Sequence, residues 1–348
     1  MPEITATVSR ISESEFNGEW QSFVQDHPIA TPFHSSRWLD AVASTFGYDE
    51  RQTLVYRSDR GEPIAAIPGF LTPEFLGRSI VNPFCEYGFP LLAPDVAQEP
   101  VFAKIDENAG LLHARIIKET EWSGVSRYNC SGYGGLDTGI SIRLPTTRSY
   151  DDVWNHTFKK RARKSVRSAQ RDDLTISTGS VDSYYPLYVS TMERLGSPQF
   201  PKAFFRALKQ NFGAKMRILL AQREETPVAG ILCLEWNGEK IVWSNASIPR
   251  FWDDNPNHLL YATAIKAACE SDVQVIDFGR SQTESSVHQF KSQFGGHNYR
   301  LTSFVDPPHR TPRADIEGYG RLAPLTKRLS PIVTQRHIGP QLKRFLHE

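Results

Sequence analysis

Three runs in this 348-residue sequence carry side chains whose type and spacing suit chemistry. The densest is Lys159-Lys160-Arg161-Ala162-Arg163-Lys164-Ser165-Val166-Arg167-Ser168-Ala169-Gln170-Arg171, with seven cations and no acid between Asn155 and Arg171. Wound as a helix, it places Phe158, Ala162, Val166 and Ala169 on one apolar stripe and the cations around the rest. Lys159, Arg163 and Arg167 then oppose one another at i,i+4, and an anionic partner would relieve that repulsion. Arginine suits phosphate or carboxylate because its planar fork bonds two oxygens at once. A solvated basic face has the same pattern. The second run, Asp277-Phe278-Gly279-Arg280-Ser281, falls where a buried strand should end. It has none of the other kinase signatures, so Asp-Phe-Gly here is a strand-to-loop turn in which Asp277 and Arg280 are spaced to pair. The third is His288-Gln289-Phe290-Lys291-Ser292-Gln293-Phe294-Gly295. Val287, Phe290 and Phe294 are expected to form an inward face at helical spacing, with Lys291 beside it. Such a lysine either snorkels to water or points into a cleft to meet a developing oxyanion. His288 is a possible base, although a lone histidine more often serves as a hydrogen-bonding residue.

The elements that must position these residues read as two α+β halves. In the first, strands are expected near Thr5–Val8, Gln52–Tyr56, Ile64–Phe70 and Ile140–Leu144. Helices are expected at Ser14–Gln25 and Ser36–Phe46 and, from the spacing of Val101, Ile105, Leu112 and Ile116, across 98–120. The Pro/Gly-rich aromatic stretch Asn82–Pro90 is a loop or the wall of a cleft. Pro145-Thr146-Thr147-Arg148-Ser149 is a boundary, and Ser149 with Asp152 forms a capping signal for the next helix. The second half predicts helices at Tyr185–Leu195, Lys202–Phe212, Leu259–Cys269 and Ser285–Phe294. Strands are predicted at Lys215–Ala221, Val228–Leu234, Lys240–Asn245, Val273–Phe278 and Leu301–Val305, with turns at Glu224–Pro227 and Asn237-Gly238.

Composition excludes several classes. Hydrophobic residues make up 39% and charged residues 23%, so the chain is neither disordered nor fibrous. The 40 Lys and Arg nearly cancel the 39 Asp and Glu, which argues against a globally basic nucleic-acid coat. Four scattered cysteines and no CxxC pair suggest neither a zinc ribbon nor a disulfide framework. With no secretion-type leader or long apolar run, the expected address is the cytoplasm. From His309 onward, eight Lys/Arg stand against three acids, and this basic tail is expected to pack on the domains or touch an anionic membrane.

At this point the chain resembles a known family. Arg163-x-x-x-Arg167-x-Ala169, Leu195-Gly196-Ser197-Pro198-x-Phe200-Pro201, Asp277-Phe278-Gly279-Arg280-Ser281 and Phe290-Lys291-x-x-Phe294-Gly295 occur in the order seen in FemAB-like proteins. These are relatives of the Fem peptidyltransferases within the GNAT acyltransferase superfamily. Phe33-His34-x-x-x-Trp38 and Asn82-Pro83-Phe84 through Tyr87-Gly88 agree in style, so that the resemblance covers about residues 30–345. It implies an α+β fold of tandem GNAT-like (acyl-CoA N-acyltransferase) domains sharing a cleft, one over 1–147 and one over 148–305, with the basic tail 306–348 packing on them.

The resemblance further implies transfer of an acyl group, without a metal or tightly bound cofactor. The donor would be acyl-CoA or aminoacyl-tRNA, and the acceptor a small-molecule, lipid-linked or sugar-linked amine of a cell-envelope or polysaccharide precursor. Lys291 with Phe290 would be catalytic. Arg163, Arg167, Arg280, Asp277 and Tyr87 would bind substrate, and amides near Asn257 the donor. One departure bears on the donor. GNAT enzymes hold the CoA pyrophosphate on a Gly-rich loop at a helix N-terminus, and the corresponding Ile248–Asn257 contains no glycine. The competing expectation is a non-catalytic protein of the same fold that engages RNA or an anionic polymer through helix 155–171.

Overall fold

The computed structural model describes residues 9–10, 18, 20–48, 53–58, 60–74, 77–108, 114–125, 135–172, 174–306 and 338–345. The expected strand Thr5–Val8, the start of the helix from Ser14 and most of the basic tail lie outside them. The chain forms two compact units. One comprises 1–139, 300–319 and 342–348, and the other 140–299 and 320–341. The boundaries fall at Gly139/Ile140 and Tyr299/Arg300, each inside a strand.

The first unit opens with β1 (Ser9–Arg10), α1 (Gln21–Gln25) and α2 (Ser36–Phe46). Ser35 caps α2 by accepting from Trp38 N, and Gly47 ends it in the left-handed region. Then come β2 (Leu54–Arg57), β3 (Pro63–Ile67), β4 (Phe70–Glu74), β5 (Gly77–Val81), β6 (Leu91–Leu92), α3 (Gln98–Asn108) and β7 (Ala114–Thr120). One sheet has the order β1-β2-β3-β6. In another, β4 and β5 form a hairpin, β5 runs parallel to β7, and β7 pairs with Leu301–Asp306.

Two expectations are corrected here. The helix expected across 98–120 is found over Gln98–Asn108, Leu112 lies outside the described residues, and Ile116 lies in β7. There burial follows the two-residue repeat of a strand, with Arg115, Ile117 and Glu119 inside. The β4–β5 hairpin was not anticipated, because Pro73 interrupts its first strand pattern. Phe33, Trp38, Tyr87, Phe89 and Trp122 pack as an aromatic core with ring separations of 4.9–6.1 Å. His34 is sealed within it. Thr31 N–H donates to its Nδ1, so Nε2 carries the proton and donates to Phe89 O at 3.0 Å. Burial holds its pKa down at about 3, and the imidazole is a neutral structural strut.

The second unit begins in β8 (Leu136–Pro145) and continues through α4 (Tyr150–His156), α5 (Lys160–Arg171), β9 (Thr175–Thr178), α6 (Val181–Leu195) and α7 (Lys202–Phe212). After these come β10 (Met216–Arg223), β11 (Thr226–Trp236), β12 (Glu239–Ser247), α8 (Pro256–Cys269), β13 (Val275–Asp277) and α9 (Ser286–Lys291), while β14 (His297–Asp306) and α10 (Gly339–Lys343) each begin in this unit and end in the first. Its sheet runs β8-β13-β12-β11-β10-β9. The two-residue hairpin loops, Glu224-Glu225 and Asn237-Gly238, both take positive φ at both positions, which matches the twist of the flanking strands.

Two hydrophobic clusters sit on this sheet. Val153, Phe158, Ala162, Val166 and Ala169 of 153–169 pack with Leu260, Tyr261 and Ile265 of α8, and with Val242, Ile276 and Phe294. Tyr184, Tyr188, Phe200, Phe204 and Phe205 gather around Trp243. Val242 and Trp243 are neighbours in β12 yet serve different clusters, as strand alternation requires. The β11–β12 register passes from Cys233↔Val242 to Leu232↔Ser244, which makes Trp243 the extra residue of a β-bulge. Among the described residues no helix is long and apolar enough to cross a membrane.

Candidate active site

The parallel pairing of β12 with β13 is short. Glu239, Lys240 and Ile241 pair with Val275, Ile276 and Asp277, and there the pairing ends. From Val242 to Ser247, β12 keeps β11 on its other side while β13 turns away, which opens a split in the sheet. Gly279 sits at its apex with φ +70, and a Cβ there would lie 2.8 Å from Val242 O, so only glycine fits. The outgoing chain is pinned to β8, with Phe278 N bonded to Ile142 O and Ile140 bridging Ser281.

Asp277 fixes this turn. It is fully buried, accepts from Ser141 Oγ and from Gly279 N at 2.7 Å, and faces Arg143 at 3.4 Å. Arg143 also pairs with Glu239 at 2.9 Å. The spacing of the run had suggested Arg280 as the partner, but Arg143, which the structure pairs with Asp277, comes from a strand 134 residues away in sequence. Lys291 ends α9, whose cap Ser285 accepts from His288 N. Rather than snorkelling, Lys291 is 5% exposed, and its Nζ donates to Gly279 O at 2.9 Å and Arg280 O at 2.8 Å. The ammonium is therefore held against the peptide that walls the split.

Of the expected inward face, Phe294 is buried and Phe290 turns its ring toward α8, 4.9 Å from His258 and 5.1 Å from Tyr261, but Val287, one turn earlier, is exposed. Asn257 ties the start of α8 to the end of β12, accepting from Asn245 Nδ2 and donating to Ser247 Oγ, both at 3.3 Å. Asn255 precedes it with φ +58 and gives α8 no side-chain cap, so the helix start keeps its positive dipole end uncovered by a side chain. His258 is a residue that sequence reasoning missed. Burial lowers its pKa, a hydrogen bond to Gln293 raises it and nearby Arg161 lowers it further. The net result is an imidazole kept neutral near neutral pH. The available sequence signal was Asn255-Pro256-Asn257-His258, a helix start directly after a strand.

Asp277, Arg280, Phe290 and Lys291 thus meet at one corner, to which Asn257 connects through its neighbour His258. The two arginines of α5 are placed otherwise. Arg163 Nη1 donates to Trp154 O, Asn155 O and Phe158 O, so it caps the end of α4. Arg167 is exposed, with its guanidinium 5.6 Å from the Trp154 ring centre. Tyr87 belongs to the first unit and is fully buried among Phe33, Phe89 and Trp122.

Residues 156–292, from the end of α4 to just past Lys291, match the acetyltransferase (GNAT) domain model. FemX has the same overall fold, with a TM-score of 0.64 at 13% identity, over 91% of this chain and 99% of that one. The chain has a FemAB-like GNAT fold. A C-terminal domain assigned to a lysylphosphatidylglycerol synthetase of Agrobacterium fabrum is also similar, at TM-score 0.51 and 12% identity, over 77% of this chain and 92% of that one. So is a protein of unknown function from Bacteroides thetaiotaomicron, at 0.53 and 10%, over 86% and 99%. No curated protein sequence matches the chain. The match of residues 156–292 to an acetyltransferase (GNAT) domain, carried on this fold, supports an acyltransferase.

Proposed function

We propose that the second unit transfers an acyl group from an acyl-CoA or aminoacyl-tRNA to an amine of a cell-envelope or polysaccharide precursor. The observation that carries this reading is Lys291, a buried ammonium fixed against the Gly279–Arg280 peptide where β12 and β13 part. The edge of β12 beyond Ile241 offers peptide groups to an extended, amide-bearing donor. The uncapped start of α8 beside Asn257 suits the donor's anionic part, in place of a Gly-rich loop.

With the acyl carbonyl in the split, the acceptor amine attacks it, the C–N bond forms, and the C–S or C–O bond to the donor breaks. Lys291 stabilises the negative charge that develops on the carbonyl oxygen, an effect typically worth about 2–4 kcal/mol per donor. Phe290 excludes water beside it, Asp277 holds the turn that carries Arg280, and Arg280 meets an anionic group of the acceptor. The amine must shed a proton, and the base proposed for it is His258, which packs on Phe290 and whose pKa burial lowers. Positioning of the two substrates supplies the rest of the acceleration.

The test is thermal unfolding of the full chain with CoA and a series of acyl-CoAs, followed by charged tRNA. Ligand at about 100 times its Kd adds roughly 2.7 kcal/mol of stability. An acyl-dependent rise supports a thioester donor, and a rise with charged tRNA alone supports an aminoacyl donor. No response to either, together with no transfer to amino-sugar or lipid-linked amines, overturns the reading.

A further inference from the structure

Apart from Arg163, which caps α4, helix α5 carries positive charge that no carboxylate among the described residues pairs with. Ala162, Val166 and Ala169 are its buried face. Lys160, Lys164, Arg167 and Arg171 recur at i, i+4, i+7 and i+11, which at about 100° per residue puts them within a sector of roughly 60° directly opposite that face. They form a single outward ridge about 16 Å long. Lys159 and Arg161 flank its first turn and are also exposed.

Several other surface cations of the unit do have carboxylates. Arg148 meets Asp152 at 2.9 Å, Lys202 meets Asp182 at 2.5 Å, and Arg223 meets Asp254 at 2.6 Å. Lys159, Lys160, Arg161, Lys164, Arg167 and Arg171 make no ion pair with a described carboxylate, although the chain holds 39 acids. The start of α5 has no acid in its first turn and no side-chain cap, so its cations also face the positive end of the helix dipole.

We infer that this ridge docks the protein on the phosphate plane of an anionic lipid bilayer. The cations stand on one convex ridge and point the same way, the geometry in which a flat array of phosphates meets them all. The apolar face of α5 is turned into the core, so nothing inserts and the contact is electrostatic. No aromatic side chain projects from the ridge to stack on bases, since α5 contains none and Trp154 is covered by Arg167. Lys159 N bonds Gln293 O at 2.8 Å, so the ridge starts beside the segment that carries Lys291. The inference stands on this charge pattern and does not depend on acyl transfer.

The test is co-sedimentation of the full chain with vesicles of phosphatidylcholine, with or without about 30 mol% phosphatidylglycerol. Wild type should bind only the anionic vesicles and be released by about 0.5 M salt. The triple variant Lys160→Gln/Lys164→Gln/Arg171→Gln should lose about 100-fold in affinity, while a charge-matched control, Lys215→Gln/Arg217→Gln/Arg250→Gln, should bind as wild type. Unfolding curves establish that both variants fold. Equal binding to neutral vesicles, retention by the ridge variant, or loss in the control overturns the assignment. Ridge-dependent retention of duplex RNA without vesicle binding also overturns it and gives the surface to a nucleic acid.

Discussion

Two sets of cations in the second unit are treated in opposite ways. Arg143, Lys240 and Lys291 are buried, and each is held by fixed partners: Asp277 and Glu239, Glu235 at 3.1 Å, and two backbone carbonyls. The ridge cations of α5 are exposed, lie side by side, and pair with no described carboxylate. A buried charge must be paired, because low dielectric makes an unpaired one very costly. Pairing also immobilises it, which is what a group needed at one point in a reaction requires. An exposed cation has no such need, and leaving it unpaired keeps it available to a partner. The difference separates positions where charge is part of the structure from positions where it is held for something outside.

The comparison breaks most visibly at Asp277. Asp277→Ala removes the acceptor for Ser141 and Gly279 N and takes from Arg143 one of its carboxylates, Glu239 remaining. Loss of one member of a buried ionic cluster costs about 3–5 kcal/mol, so the urea midpoint should fall well below wild type. A midpoint within error of wild type would show that the cluster holds nothing together. Next comes Lys291→Ala. Turnover should fall about 10²-fold, and stability should fall as well, by about 1–3 kcal/mol, because two buried carbonyls lose their donor. From the sequence alone, only the first loss is expected. Lys291→Arg separates the two roles, since a cation that still reaches the carbonyls should recover stability more fully than turnover. Unchanged turnover in Lys291→Ala, with intact folding, removes it from the chemistry.

Gly279→Ala is a smaller perturbation of the same corner. Its φ of +70 and a Cβ 2.8 Å from the Val242 carbonyl predict a loss of about 1–3 kcal/mol, read from thermal unfolding. Donor affinity should fall too, because the apex of the split must widen. Wild-type donor binding in a folded Gly279→Ala protein would place the donor elsewhere.

How much of this was legible in the sequence depends on whether the deciding contact was local. The apolar stripe Phe158, Ala162, Val166 and Ala169, the Asn237-Gly238 turn and the strand-to-turn reading of Asp277–Ser281 follow from periods and turn chemistry within a few residues, and each is as expected. The split between β12 and β13 was not legible, because it depends on where a parallel register ends, 36 residues apart in the chain. Arg143 as the partner of Asp277 and the inward turn of Lys291 are likewise tertiary facts. Arg163 shows the reverse case: among seven similar cations, nothing in the sequence marks the one that folds back to cap α4. His258 was overlooked because its significance is environmental, set by Phe290, Gln293 and Arg161.

The smallest expected effect has the opposite sign, and it sharpens the contrast most. Lys160 is the first residue of α5, where the helix dipole disfavours a cation, and Lys164 repels it one turn on. Lys160→Glu turns both interactions favourable, placing an acid at the positive end of the helix and a Glu-to-Lys pair at i,i+4. Stability should therefore rise by about 0.3–1 kcal/mol at low salt, with the gain shrinking as ionic strength increases. Removing a buried cation should thus weaken the fold, while reversing a ridge cation should strengthen it. A loss of stability in Lys160→Glu would mean that the ridge has a structural partner, and the two sets of cations would then differ only in exposure. A gain, accompanied by loss of anionic-vesicle binding, would mean that the chain keeps α5 less stable than it could be for the sake of what the ridge binds.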